Sequence, residues 1–177
     1  MKDEEYIFMK MKIFSAVGLL VLLAGVLLLF WIFRDTDEKK IHRTLDELCR
    51  IGNKSSGENP ALSALKANRA DKVFAPRCRF DFRVNSFDGE YTPTEIGSRI
   101  LRIQSFFQWI KLETNDIEIS VKENNGKIFF TGEFSGLTKT GKQEKISEIR
   151  DIEAELVKND RGEWKFVRMN IRRVLEK

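Results

Sequence analysis

Residues 92–110, TPTEIGSRILRIQSFFQWI, decide how the rest of this 177-residue chain is read. Thr92-Pro93-Thr94-Glu95 has the form of a capping box. The Thr92 hydroxyl can accept the backbone N–H near Glu95 while the Glu95 carboxylate reaches back. Pro93 falls in the first turn, where a missing N–H is harmless. Ile96, Ile100, Ile103, Phe107 and Ile110 then recur at intervals of 4, 3, 4 and 3, which places them on one helical face. The stretch predicts a core-facing helix.

Four strands are expected after it. Ile117, Ile119 and Val121 alternate with Glu118, Ser120 and Lys122. Asn125-Gly126 predicts a hairpin turn. Residues 127–137 put Ile128, Phe130 and Phe134 on one face, Thr140-Gly141 turns the chain into 144–157, and Asp160-Arg161-Gly162 turns it into 163–174. Before residue 92, residues 35–51 predict a helix with Ile41, Leu45 and Leu48 on one stripe and acid in its first turn. Asn59-Pro60 starts a short second helix that carries Leu62 and Leu65 and ends near Asp71. Cys78, Phe80, Phe82 and Val84 alternate with Arg79, Asp81 and Arg83, the pattern of a half-buried strand. Asp88-Gly89 turns it into a short return strand near Glu90 and Tyr91. Helices ahead of a meandering antiparallel sheet, with one helix between its strands, define an α+β domain over residues 34–177.

The order helix, short helix, strand, short strand, long helix and four strands resembles the nuclear transport factor 2-like (SnoaL-like) superfamily. Its further marks here are the Thr92 to Glu95 helix start and the closing passage Arg150-Asp151-Ile152 through Gly162-Glu163-Trp164-Lys165-Phe166. The resemblance covers about residues 35–175. It implies a curled antiparallel sheet wrapped around about three helices as a cone. It also implies a pocket inside the cone, where enzymes of the superfamily hold an Asp, His or Tyr. The superfamily includes isomerases and dehydratases as well as proteins without catalysis, so the fold leaves the function open.

The N-terminal part has a different character. Ile13 to Phe33 is an uncharged, mostly apolar run of 21 residues, about as long as a bilayer core is thick when helical. It is longer than the apolar region of a cleaved signal peptide, and no small residues mark a cleavage site near Trp31. It is expected to be a transmembrane signal anchor behind a short tail, residues 1–12. A cytoplasmic N-terminus would leave the domain outside the cytoplasm, in the periplasm of a bacterium. The first domain helix follows within a few residues, so the domain should work close to the bilayer surface.

Few residues point to chemistry. The strand near 146–157 places Glu148 and Arg150 on the same face as Ile146, Ile152, Ala154 and Leu156. If that face is concave, the pair points toward the pocket, where it can bind a polar ligand or poise an acid–base group. A solvated ion pair at the rim is the plainer alternative. Tyr91, next to the capping box, is a third pocket candidate, with a buried tyrosine whose hydroxyl is satisfied as the plainer alternative. His42, the chain's one histidine, lies one step off the apolar stripe of its helix, and Asp81 is expected to face solvent. The superfamily's Asp–His pairs have no counterpart. No nucleophile elbow, phosphate loop or metal-ligand spacing occurs, so neither metal nor cofactor is expected. Cys49 and Cys78 are compatible with one disulfide or with two separate thiols.

Lys165, Arg168, Arg172, Arg173 and Lys177 make the last strand basic, a surface for acidic headgroups or an acidic protein or an ordinary solvated face. A net charge of +4 is too small to suggest a nucleic-acid partner. The expected function is a membrane-anchored, non-catalytic binding or scaffold module with a protein partner, a second copy or an apolar ligand. Its layout is similar to an inner-membrane scaffold subunit of type IV secretion assemblies. The alternative is a small-molecule-binding protein or an isomerase- or dehydratase-like enzyme. That alternative requires a cone not filled by Phe106, Trp109, Phe130 and Phe134.

Overall fold

The computed structural model describes residues 36–82, 88–139 and 143–172, the side chain of residue 172 excepted. The apolar run 13–33, Arg83, Val84, Thr140-Gly141, Arg173 and Lys177 lie outside them. Among the described residues no helix is long and apolar enough to cross a membrane. The elements are α1 (Asp37–Gly52), α2 (Pro60–Ala67), the single turn α3 (Ala70–Val73), β1 (Phe74–Asp81), β2 (Gly89–Tyr91), α4 (Pro93–Phe106), β3 (Phe107–Lys122), β4 (Asn125–Thr138), β5 (Lys145–Lys158) and β6 (Trp164–Arg172).

The strands form one six-stranded sheet in the order β2-β1-β6-β5-β4-β3. Every neighbouring pair is antiparallel except β1 and β6, which run parallel. Register shifts interrupt β3 against β4 between Asn115 and Glu118, and β5 against β6 between Glu155 and Leu156. At the first of these Asp116 takes a φ of 50°. Such bulges bend a strand and increase its twist, which curls the sheet around the helices.

The concave face of the sheet and the inner faces of α1 and α4 enclose the core. Ile41, Leu45 and Ile51 of α1, Ile128 of β4, Leu156 of β5 and Trp164 and Phe166 of β6 are all but sealed from solvent. The acid expected at the start of α1 has a specific partner: Asp37 accepts Trp164 Nε1–H at 3.2 Å and lies 2.8 Å from Lys158 Nζ. The Trp164 indole is therefore buried with its one polar atom satisfied.

The α4 capping box is present, with Thr92 Oγ1 accepting from Glu95 N and the Glu95 carboxylate accepting from Thr92 N. Its end differs from the expectation. The apolar period runs on to Ile110, but the helix stops at Phe106 and β3 begins at Phe107, which is extended at φ −111° and ψ 145°. Tertiary partners take the terminal carbonyls. Lys54 Nζ donates to Gln104 O at 2.6 Å and to Phe107 O at 2.9 Å, and Lys139 N donates to Phe106 O at 2.8 Å. Ile110 is buried instead through a bridge to Lys54.

The Asn125-Gly126 turn is also displaced. Glu123 and Asn124 make the turn, with Glu123 at φ 55°, and Lys122 already faces Asn125 across the ladder. Gly126 is needed for packing, since a Cβ there would lie 2.9 Å from Ile41 Cδ1 and 3.1 Å from Trp164 Cζ3.

Candidate functional site

The cone is open. Between α1, α4 and the concave face of the sheet lies a cavity of about 400 Å³, within the range of small-molecule sites. Its wall is aromatic and aliphatic: Phe74, Phe80 and Phe82 from β1 and the residue beyond it, Leu45 and Leu48 from α1, Ile96, Ile100 and Ile103 from α4, Phe130 and Phe134 from β4, and Ile152, Met169 and Ile171 from β5 and β6. Phe130 and Phe134 thus form part of the wall without filling the space. Phe106 is 55% exposed, and Trp109 does not line the cavity.

All three pocket candidates line the wall, Glu148 and Arg150 through the alternation of β5 and Tyr91 from the end of β2. Glu148 and Arg150 sit opposite Phe134 and Gly132 in the β4–β5 register, on the concave face. Their side chains are 54% and 43% exposed and the Arg150 Nη2 to Glu148 Oε2 distance is 3.4 Å, so the pair stands at the rim. Tyr91 packs against Phe80 with ring centroids 6.0 Å apart, and its hydroxyl donates to Asp88 O at 3.1 Å.

Arg99, Cys49 and Thr114 also line the cavity, although none of them was expected there, and Glu113 and Glu133 complete its polar residues. The Arg99 guanidinium lies 4.0 Å from the Tyr91 ring centroid, a cation–π contact. Its signal was present, since Ile96, Arg99, Ile100 and Ile103 share the i, i+3, i+4, i+7 face of α4. Cys49 of α1 and Thr114 of β3 come together in the opposite wall, where the Thr114 side chain offsets part of what burial does to the thiol. No single-sequence pattern links residues 65 positions apart.

The disulfide alternative is not realised, and both cysteines are free thiols. Cys49 faces Thr114, while Cys78 is buried in the core behind β2. Burial raises the Cys49 thiol above its ordinary value and pushes Cys78 up to about 12. His42 is exposed on α1 and does not line the cavity. Asp81 is held below the usual carboxylate range by Arg168, with Arg79 adding to the effect.

Two members of the basic group are held by the domain itself. Arg168 donates from Nε and Nη2 to Asp81 Oδ2 at 3.2 and 2.8 Å. Lys165 Nζ donates to Asp71 O and Lys72 O and lies 3.3 Å from Glu163. These contacts neutralise much of the charge expected for an outward-facing patch. The Arg172 side chain and Arg173 lie outside the described residues.

No protein-family model and no curated protein sequence matches this chain. Solved structures do, and they define the class of fold. A nuclear transport factor 2-like superfamily protein from Salmonella enterica superposes with a TM-score of 0.59 at 12% identity, over 78% of this chain and 92% of its own. A candidate scytalone dehydratase from Novosphingobium aromaticivorans gives 0.59 at 17% identity, over 78% and 85%. A candidate aromatic ring hydroxylase from the same organism gives 0.61 at 10%, over 81% and 94%. The domain has the nuclear transport factor 2-like α+β fold, and identities this low speak to fold alone.

Proposed function

We propose that this domain binds a small, largely apolar organic molecule inside the cone. The observation that carries the reading is the open cavity of about 400 Å³ with its aromatic and aliphatic wall. A cone with only a structural role would gain stability by filling such a space, because lining atoms facing a void lose their packing partners. Two of the similar structures bear the names of small-molecule enzymes, which favours a ligand site over a scaffold surface. If chemistry accompanies binding, Glu148 and Arg150 are the groups placed to act on a polar substituent at the rim. The membrane anchor expected from residues 13–33 belongs to the same proposal.

Photolabelling of the full chain in membranes tests both parts. A neutral alkyl alcohol carrying a diazirine should label peptides of α1, α4 and β4 saturably, with the sites located by mass spectrometry. Ile100→Trp, which projects an indole into the cavity, should abolish that labelling while far-UV circular dichroism stays unchanged. The same membranes should retain the chain after an alkaline carbonate wash. Labelling confined to residues 13–33, or unaffected by the indole, would overturn the cavity reading. Release by carbonate would overturn the anchor.

A further inference from the structure

We infer that the ligand of this cavity carries an uncharged head of hydroxyl or amide groups, and that this head leaves the cone sideways, past Leu112, into a polar hollow at the edge of the sheet. The inference rests on the proposed binding of an apolar molecule and specifies its polar end.

The hollow measures about 520 Å³ and lies between the last turns of α1, the loop that follows and the edge strand β3. One layer of side chains divides it from the cone, since Cys49, Leu112 and Thr114 border both spaces. Leu112 is the movable part of that layer. No strand lies beyond β3, and Leu112 is only half-buried there. Its backbone is held, because Asn53 Oδ1 accepts its N–H. Its side chain lies against the bare α-carbon of Gly52, where an added Cβ would overlap Leu112 Cδ1. A side chain open to solvent changes rotamer on the picosecond to nanosecond scale, so a bound chain can turn this one aside.

The hollow has no net charge to match. Asp46 and Arg50 of α1, Lys66 of α2 and Glu113 of β3 border it, two acids and two bases. Arg50 lies 2.6 Å from Glu47, Lys66 2.7 Å from Glu58 and Glu113 2.7 Å from Lys111, while Asp46 stands one turn before Arg50 on the same helix. A charged head would have to break one of these pairs or face its like. The neutral groups are the ones on offer. Among the described residues Ser55 Oγ, Asn53 Nδ2 and the Asn115 side chain make no hydrogen bond within the domain. They give donors and acceptors to hydroxyls or an amide without the cost of desolvating an ion. The rim on the other side makes no such offer. Arg150 faces Glu148 there, and Arg99 lies against the Tyr91 ring and one turn beyond the Glu95 carboxylate.

Two dodecylglycerol ethers, one with a diazirine at the tail end and one with it on the glycerol, locate both ends of the ligand on the full chain in membranes. The tail probe should label peptides of α4 and β4, and the head probe residues 53–55 and 112–115, as read by mass spectrometry. Unlabelled dodecylglycerol should displace the tail probe at concentrations about tenfold lower than dodecanoate or dodecyltrimethylammonium, the gain from one or two neutral hydrogen bonds. Leu112→Trp should move the head label away from residues 53–55 while far-UV circular dichroism stays unchanged. Ser55→Ala and Asn115→Ala, which leave the dividing layer alone, should each weaken dodecylglycerol about two- to fivefold and so test the head contacts even if the indole disturbs the fold. Head labelling at Tyr91, Glu148 or Arg150, or competition by either charged amphiphile that equals dodecylglycerol, would overturn the uncharged head in the hollow and leave the cavity reading standing. Absence of tail labelling in α4 and β4 would overturn the cavity reading itself, and this inference with it.

Discussion

Arg99 and Cys49 are the residues whose surroundings say most about the cavity, and both hold positions where an apolar side chain would be the simpler choice. Arg99 holds its guanidinium at the wall against the Tyr91 ring. Cys49 keeps a small polarisable thiol against Thr114. The two thiols differ in a way that alkylation can read. With Cys78 pushed up to about 12, only about one molecule in ten thousand carries its thiolate at pH 8. Cys78 is also completely buried, whereas Cys49 is partly exposed. Iodoacetamide on the native chain at pH 8 should modify Cys49 slowly and Cys78 only after unfolding, as counted by mass spectrometry. Raising the pH should speed the Cys49 reaction, because a raised pKa leaves most of that thiol protonated near neutrality. Fast modification of both, or their joint protection until a reductant is added, would contradict two independent free thiols.

At the scale of elements, α4 holds the site together. It begins with a complete capping box, in which Glu95 Oε2 accepts from Thr92 N at 2.8 Å and from Thr92 Oγ1 at 2.9 Å. Thr92→Ala should therefore destabilise the domain by ~1 kcal/mol in urea denaturation with no change in slope, the usual loss for a helix cap. Because Tyr91 adjoins the cap and Arg99 lies two turns on, the same variant should also weaken cavity labelling slightly. The other end of α4 depends on contacts from far along the chain. Buried Gln104 donates through Nε2 to Ile51 O and Gly52 O at 3.0 and 3.1 Å, and Lys54 covers the carbonyls of Gln104 and Phe107. Desolvation holds the Lys54 ammonium below its ordinary pKa. Gly97 lets α2 approach α4 so closely that a Cβ would stand 2.7 Å from Ala67 O.

For the molecule as a whole, acid should be the main chemical stress. Asp37 is lowered chiefly by Lys158, Glu47 by Arg50, Asp81 by Arg168, Glu95 by the Thr92 N–H and Glu163 by Asn159. Burial pushes Glu58 up, but hydrogen bonds from Lys66, Ser63 and the Ser55 N–H bring it below the usual value. Carboxylates whose folded pKa is depressed stabilise the fold above their unfolded pKa, and that contribution is lost as pH falls through the folded pKa. The melting temperature should be level from pH 7 to about pH 5 and then fall steadily toward pH 3. Most of these groups are exposed, so 1 M salt should flatten part of the slope. The Glu58–Lys66 pair, with its carboxylate side chain 4% exposed and a 2.7 Å contact, should retain its share. A melting temperature that rises on acidification would refute this account.

Much of the architecture was legible from local pattern. The capping box, the helix of residues 35–51, the alternation in Cys78 to Phe82 and the four closing strands each report a period that one segment carries by itself. The same alternation put Glu148 and Arg150 on the concave face, since side chains in a strand point to opposite sides in turn. What local pattern misjudged has one physical cause. Helical and strand periods cannot be told apart where Phe107 and Ile110 continue an apolar repeat, and the choice fell to carbonyl partners supplied by Lys54 and Lys139. Gly126 looked like a turn because Asn-Gly favours one, yet its missing side chain serves Ile41 and Trp164, one distant in sequence on either side. The sequence by itself determined most of the elements and their order, because those depend on neighbours within a few residues, but not the buried face of α2, where Leu62 and Leu65 stay exposed and Ser63 and Ala67 turn inward. Only the tertiary structure decided that the cone stays open, that Cys49 meets Thr114 instead of Cys78, that Arg168 is taken by Asp81, and that Arg99 and Arg150 share one cavity. Each of these depends on the distance between side chains whose positions are set by the curl of the sheet, and no period along the chain encodes that distance.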